Sequence, residues 1–327
     1  MGRANISRRT AFSLVAGAGL LALTPAAFAA GSPAGPAPRL VSVPVGRQPQ
    51  AVTVNPVTGT AFVANTGDRT ITIVQGGRAV ATVGIPGRPS DLAVDPATGL
   101  VHVANSTSGT TVVVDPATSA TVTIIPSGDG SSVLALDQRT YSLYVGSGDQ
   151  ARVGRIDLFG GVIRNTIEGP GKGFAAAVID ERARAGYFAS LQTGSIEILD
   201  LATDTFTKSI PVGDGPSGIA LHRRTGRVYV ANSGIHHLSV IDGATRGETR
   251  TILLRSEASS VAVHERSNTV YANGGPDGLV RIDGARGEIT GELTLGINPG
   301  NVAVDQRTGA VYVTDPLRDR LHVVTGF

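Results

Sequence analysis

Seven polar residues in this chain of 327 sit immediately before, or at the start of, short apolar runs: Gln50, Asp91, Ser132, Lys172, Ser217, Ser260 and Asn301. Grouped at one mouth of a fold, their amide, carboxylate and hydroxyl oxygens suit a small polar ligand or a hard divalent cation such as Ca2+. Asp91 is the one carboxylate among them, too few for a calcium cage. The expectation is therefore a polar rim with no assigned metal site, cofactor or catalytic residue. Other chemistries fall to residue type. There is no Cys, which excludes a disulfide scaffold, a thiolate zinc site, an iron–sulfur cluster and a Cys nucleophile, and no Trp to stack on a sugar or cofactor.

Motif-like strings lack the context their chemistry needs. Gly213-Asp214-Gly215-Pro216-Ser217-Gly218 matches the spacing of a dinucleotide loop, but a strand pattern follows where a helix N-terminus is required. Gly169-Pro170-Gly171-Lys172-Gly173 has no Ser or Thr after its lysine. The adjacent His236 and His237 on a strand would point to opposite faces and could not share a metal, so they read as surface loop residues.

The elements that position the seven residues come from a repeat. Apolar runs ending in a polar anchor recur with anchors Asn55, Asp95, Asp137, Asp180, His222, His264 and Asp305, spaced by 40, 42, 43, 42, 42 and 41 residues. The anchor opens a tight turn, as in Asn55-Pro56-Val57-Thr58-Gly59, where an Asx side chain bonds backbone two residues on and Gly takes a positive φ. His222 and His264 are expected to cap the same turn. A second strand follows (Phe62-Val63-Ala64-Asn65, Tyr229-Val230-Ala231-Asn232), then a third (Ile71-Thr72-Ile73-Val74) and a fourth through segments such as 79–83 and 206–210. High Gly (43) and Pro (18), with 4% aromatic residues, fit short strands joined by turns. Four-stranded antiparallel units of about 40–45 residues, repeated radially, form a β-propeller; seven copies predict an all-β fold of seven blades. The residues two before each anchor (Thr53, Ala93, Ala135, Val178, Ala220, Ala262, Ala303) are mostly small, as innermost strands near an axis require.

The seventh unit stops after its third strand. The segment Arg39-Leu40-Val41-Ser42-Val43-Pro44 is predicted to supply the missing outer strand and close the ring. The second strands, in their contexts Phe62-Val63-Ala64-Asn65-Thr66-Gly67-Asp68 and Tyr229-Val230-Ala231-Asn232-Ser233-Gly234, resemble the YVTN β-propeller repeat, as do the flanking Ala-Val-x-Val-Asn-Pro-x-Thr-Gly and Val-x-Val-Ile-Asp segments. The resemblance covers residues 39–327. Blades three and four depart from it with Gly146-Ser147 and Ala189-Ser190, and blade six slips by one, with Gly274 at the Asn position and Asn273 just before it. Members of that family are exported cell-envelope proteins. Similar propellers serve as lactonases, quinone-linked amine dehydrogenase subunits and adhesive modules.

Residues 1–29 read as a leader: Arg8-Arg9 before an apolar stretch, ending in the cleavage pattern Ala27-Phe28-Ala29. The arginine pair resembles a twin-arginine export signal, with an ordinary secretory signal as the alternative. The apolar run is short for a membrane span and is broken by Pro25, so stable membrane insertion is not expected. Residues 30–38 read as a flexible linker. The leader carries Arg3, Arg8 and Arg9 and no acid, which takes Lys+Arg from 28 to 25 against 26 Asp+Glu, a formal charge of −1. A nucleic-acid partner is not expected. The reading is a secreted, monomeric binding scaffold whose channel-mouth face takes a protein or a small polar ligand. The alternatives are a lactonase-like hydrolase using a channel-mouth cation and a docking subunit for a redox partner.

Overall fold

A computed structural model describes residues 37–274 and 278–327; the expected leader (residues 1–29) and residues 30–36 of the expected linker lie outside the described residues. The strands form seven four-stranded antiparallel sheets. Blade 1 contains β2 (Pro49–Val54), β3 (Ala61–Asn65), β4 (Thr70–Gln75) and β5 (Arg78–Gly84). Blades 2 to 6 repeat this order over 89–126, 131–168, 174–211, 216–253 and 261–294. In blade 7 the sheet order is β1 (Arg39–Pro44), β28 (Arg320–Thr325), β27 (Val311–Asp315) and β26 (Val302–Val304). β1 pairs with β28 from Arg39 opposite Thr325 to Pro44 opposite Arg320, which is the closure expected from the sequence.

The anchors cap their turns as expected. Asn55 Oδ1 accepts the N–H groups of Val57 (2.8 Å) and Thr58 (3.2 Å), and Gly59, at φ +74°, donates its N–H to the Asn55 carbonyl. His222 sits 2.7 Å through Nδ1 from the Thr225 hydroxyl, while its Nε2–H donates to the Glu265 carbonyl of the next blade (3.1 Å). The His anchor thus caps its own turn and ties two blades together.

The buried apolar residues gather in seven clusters, each combining residues of two adjacent blades. The cluster joining blades 7 and 1 contains Val43 of β1, Val52, Val63, Tyr312 and Leu321. A blade has apolar residues on both faces and buries each against a neighbour, so the stabilising burial resides in the seams.

One position recurs at every seam. Opposite the small channel residue, the second strand carries Phe62, His102, Tyr144, Tyr187, Tyr229, Tyr271 or Tyr312. Directly paired residues share a sheet face, so the small partner leaves room for the ring. Tyr229 donates its hydroxyl to the Gly284 carbonyl in the next blade (2.8 Å). His102 is the one imidazole of the set, 2% exposed with neither ring nitrogen hydrogen-bonded; the buried hydroxyls of Tyr144 and Tyr187 also lack partners. Burial pushes its pKa down to about 4.

Two outcomes follow. Deleting residues 1–47 removes β1 and bares β28, and is expected to cost several kcal/mol or cause aggregation; a melting curve matching the intact chain refutes this. His102→Phe, which installs the blade 1 residue, should stabilise by about 1–3 kcal/mol by removing a buried unpartnered polar ring. The unfolded imidazole protonates near pH 6.5 and the folded one only near 4, so the native chain loses stability as pH falls through this window. The variant's advantage in Tm must therefore be larger at pH 4.5 than at pH 7, and a pH-independent difference rules this account out.

Candidate functional site

The first strands of the seven blades line a central channel, whose cavity of about 370 Å³ is walled by Thr53, Ala93, Ala135, Val178, Ala220, Ala262 and Ala303 with their apolar neighbours. Gln138, Arg223 and Gln306 border it where the first-to-second-strand turns lie, here called the turn face. At the opposite end, the loop face, the strands enter from the loops that connect consecutive blades.

A bulge marks that entrance. Register shifts fall between Pro49 and Ala51, Pro89 and Asp91, Ser131 and Val133, Phe174 and Ala176, and Pro216 and Gly218. Gln50, Ser90, Ser132, Ala175 and Ser217 are therefore bulged residues, and Asp91 follows its bulge. An innermost strand pairs on one side only, so backbone N–H groups on its free side need acceptors. Asp91 Oδ2 accepts the N–H of Leu134 in blade 3 (2.8 Å). Ser260 Oγ accepts that of Val302 in blade 7 (2.9 Å), and Asn301 Oδ1 accepts that of Val52 in blade 1 (3.2 Å). These three side chains tie three different seams. Asp91 Oδ1 also accepts the N–H of Leu92 (2.8 Å), a group blade 1 cannot serve because Ala51 occupies its position.

Ser132 and Ser217 act across seams too, donating to the carbonyls of Phe174 and Ser259, each 3.2 Å away. Gln50 and Lys172 are exposed. The Lys172 backbone N–H and carbonyl are both bonded by Ser190 Oγ at 2.8 Å, so Ser190 does the work of the repeat's Asn. The Asn positions are likewise structural: Asn65 donates to the hydroxyls of Thr70 and Thr72, and Asn232 to the His237 carbonyl and the Ser239 hydroxyl. In blade 6 the strands keep the common register, Val261 opposite Ala272 as Ile219 is opposite Val230, so the one-residue slip moves the Asn alone and not the pairing. Asn273 accepts the N–H groups of Ser259 and Ser260 and donates to the carbonyls of Pro299 and Gly300 in the next blade loop.

Among the described residues, no three His, Asp or Glu side chains come together as a metal site. Asp91 is nevertheless electrostatically unusual: burial, opposed by its two N–H bonds, pushes its pKa up to about 6.

Two loop-face clefts combine polar side chains that sequence reasoning did not group. A cleft of about 370 Å³ is bordered by His236, Glu257, Ser259, Asn273 and Asn298, with His236 Nε2 3.7 Å from Glu257 Oε1. A cleft of about 520 Å³ beside the closing seam is bordered by Arg47, Gln48, Arg69, Arg88, Leu317 and Asp319.

The ring of seven sheets closed by the first described strand defines a seven-bladed β-propeller. No protein-family model matches the chain, and no curated protein sequence matches it. Two solved structures share the architecture. Hydrazine synthase of Kuenenia stuttgartiensis aligns with a TM-score of 0.74 at 14% identity, covering 85% of this chain and 95% of that one. U3-55K aligns with a TM-score of 0.76 at 14% identity, covering 88% and 98% respectively. At this identity the likeness shows the fold alone.

Ionising Asp91 is harder in the folded chain than in the unfolded one, so it draws down stability as pH rises from about 4 to 6. Asp91→Asn, which keeps one acceptor, removes that dependence. The Tm of the native protein minus that of the variant should fall by a few degrees between pH 4 and 7, and a difference that stays constant or grows contradicts the assignment.

Proposed function

We propose that the chain is an exported, monomeric, non-catalytic binding propeller of the YVTN-repeat kind, which presents its loop face to a protein or a small polar ligand at the cell envelope. The observation that supports it best is a division of labour. The anchors and Asn positions that recur from blade to blade, together with the mouth residues Asp91, Ser260 and Asn301, are bonded to turns and neighbouring blades. The two loop-face clefts are instead lined by residues that differ between blades. A repeated scaffold carrying variable loops is the arrangement in which recognition is commonly placed. Export is supported by the arginine pair Arg8-Arg9 and the small-residue pattern Ala27-Phe28-Ala29.

The hydrolase alternative places a cation at the channel mouth, where Asp91 is the available carboxylate. Each of its oxygens already accepts a backbone N–H group, which leaves one lone pair on each for a cation. The reading is tested by metal analysis of the purified protein and a lactone-hydrolysis panel. Expected are no retained stoichiometric cation and no turnover. A cation and lactone turnover that both disappear in Asp91→Ala would overturn it in favour of the hydrolase.

A further inference from the structure

We propose that the cleft beside the closing seam is a binding site for a small phosphate-bearing ligand; this rests on the binding-propeller reading and names its ligand class. The first observation is where the backbone is strained. Gln48, Arg69 and Asp319 border this cleft and have φ values of 52°, 58° and 55°. Among the described residues they are the non-glycine residues of the loop face held in the left-handed region; the others lie on the turn face.

Several blades use glycine for the same backbone work, while at the Arg69 position Ala151 and His236 do it in blades 3 and 5 without a positive φ. The Gln48 carbonyl accepts the N–H of Thr66, as the carbonyls of Gly130, Gly173 and Gly215 accept those of Gly148, Leu191 and Ser233. The Arg69 and Asp319 carbonyls accept the N–H groups of Ile85 and Val45, as Gly109 and Gly194 accept those of Ser127 and Val212. The five glycines all have positive φ. A side chain at these positions adds strain that glycine avoids. Asp319 has a structural use for its side chain, accepting the Gln48 N–H (2.9 Å). The side chains of Gln48 and Arg69 have no hydrogen-bond partner among the described residues, although both are exposed at the cleft.

The second observation is charge. Arg47, Arg69 and Arg88 border one cleft, each from a different loop. Arg47 is held by Asp68, with Nε 2.5 Å from Oδ1, and that bond draws the Asp68 pKa below its usual value. Asp319 is the remaining acid, so the guanidiniums of Arg69 and Arg88 leave an excess of positive charge. A planar carboxylate is satisfied by one guanidinium fork, whereas forks arriving from three loops suit a tetrahedral oxyanion carrying more than one charge. A volume of about 520 Å³ admits a small molecule.

The test is isothermal titration of the full chain at low ionic strength with pyrophosphate as the probe and citrate as the carboxylate comparison. Expected is saturable binding of pyrophosphate, one per chain and tighter than citrate, weakened at least tenfold by Arg69→Gly and by Arg88→Gln. Arg69→Gly restores the residue of blades 2 and 4, so its Tm should equal or exceed that of the native chain. Arg139→Gln, an exposed turn-face change, should leave binding unaltered. The proposal fails if pyrophosphate does not saturate, if Arg69→Gly binds it undiminished, if Arg139→Gln weakens it equally, or if citrate binds more tightly. These outcomes concern the cleft; the lactone and metal measurements bear separately on the non-catalytic reading.

Discussion

The pairing of Arg39–Pro44 with Arg320–Thr325 is the constraint on which the remaining structure depends. Each blade is apolar on both faces and has no core of its own. Seven blades bury their faces completely only if there are seven seams, and the seventh requires blade 7 to be complete. Val43 shows how the two effects join: its backbone belongs to the sheet of blade 7, and its side chain, 2% exposed, packs in the cluster shared with blade 1. Bringing residues from opposite ends of the chain together costs conformational entropy, but that cost grows only logarithmically, about 0.6 kcal/mol per doubling of the loop. A seam's worth of buried Val, Leu and Tyr outweighs it.

A closed ring creates a second demand. The innermost strands have a free side facing the axis, where neither another strand nor full solvation is assured. Their N–H groups draw acceptors from the preceding blade, which explains why carboxylate, hydroxyl and amide oxygens stand at the channel mouth. Asp91 serves two such groups, and the same burial that makes it a good tie raises its pKa. The turn face repeats the logic with other residues: Glu181 accepts the Gln138 N–H, Glu265 that of Arg223 and Gln306 that of Glu265, each at 2.9 Å. Where blades 1 and 2 place Pro56 and Pro96 at this position, there is no N–H to satisfy.

The architecture was legible because its signals are local and repeated. Anchor spacing, turn glycines and the alternation of small and β-branched residues each point to the same blade, and the truncated seventh unit marks the closure. The site was less legible for a physical reason. Asp91, Ser260 and Asn301 are polar residues at a mouth, and sequence does not reveal that a backbone N–H across the seam already holds each of them. His102 is equally silent in sequence, since its standing as the odd member of an aromatic ring of positions emerges only from strand pairing. Gln48, Arg69 and Asp319 did leave a trace, because some copies of the repeat have glycine there, but its meaning depends on φ.

Strain at those three positions persists because the fold over-determines it. The N–H groups of Thr66, Ile85 and Val45 hold the carbonyls of Gln48, Arg69 and Asp319, and each bond joins two loops already anchored in sheets. The left-handed turns are therefore retained even where the residue disfavours them. What the chain gains is direction: a side chain leaving a left-handed residue at such a turn departs along a path that a relaxed loop would not offer. For Arg69 that path borders the cleft where Arg47 is already braced by Asp68. Arg47, held before a ligand arrives, forfeits less conformational freedom on binding, and for long cationic side chains that freedom is a large part of what association must overcome.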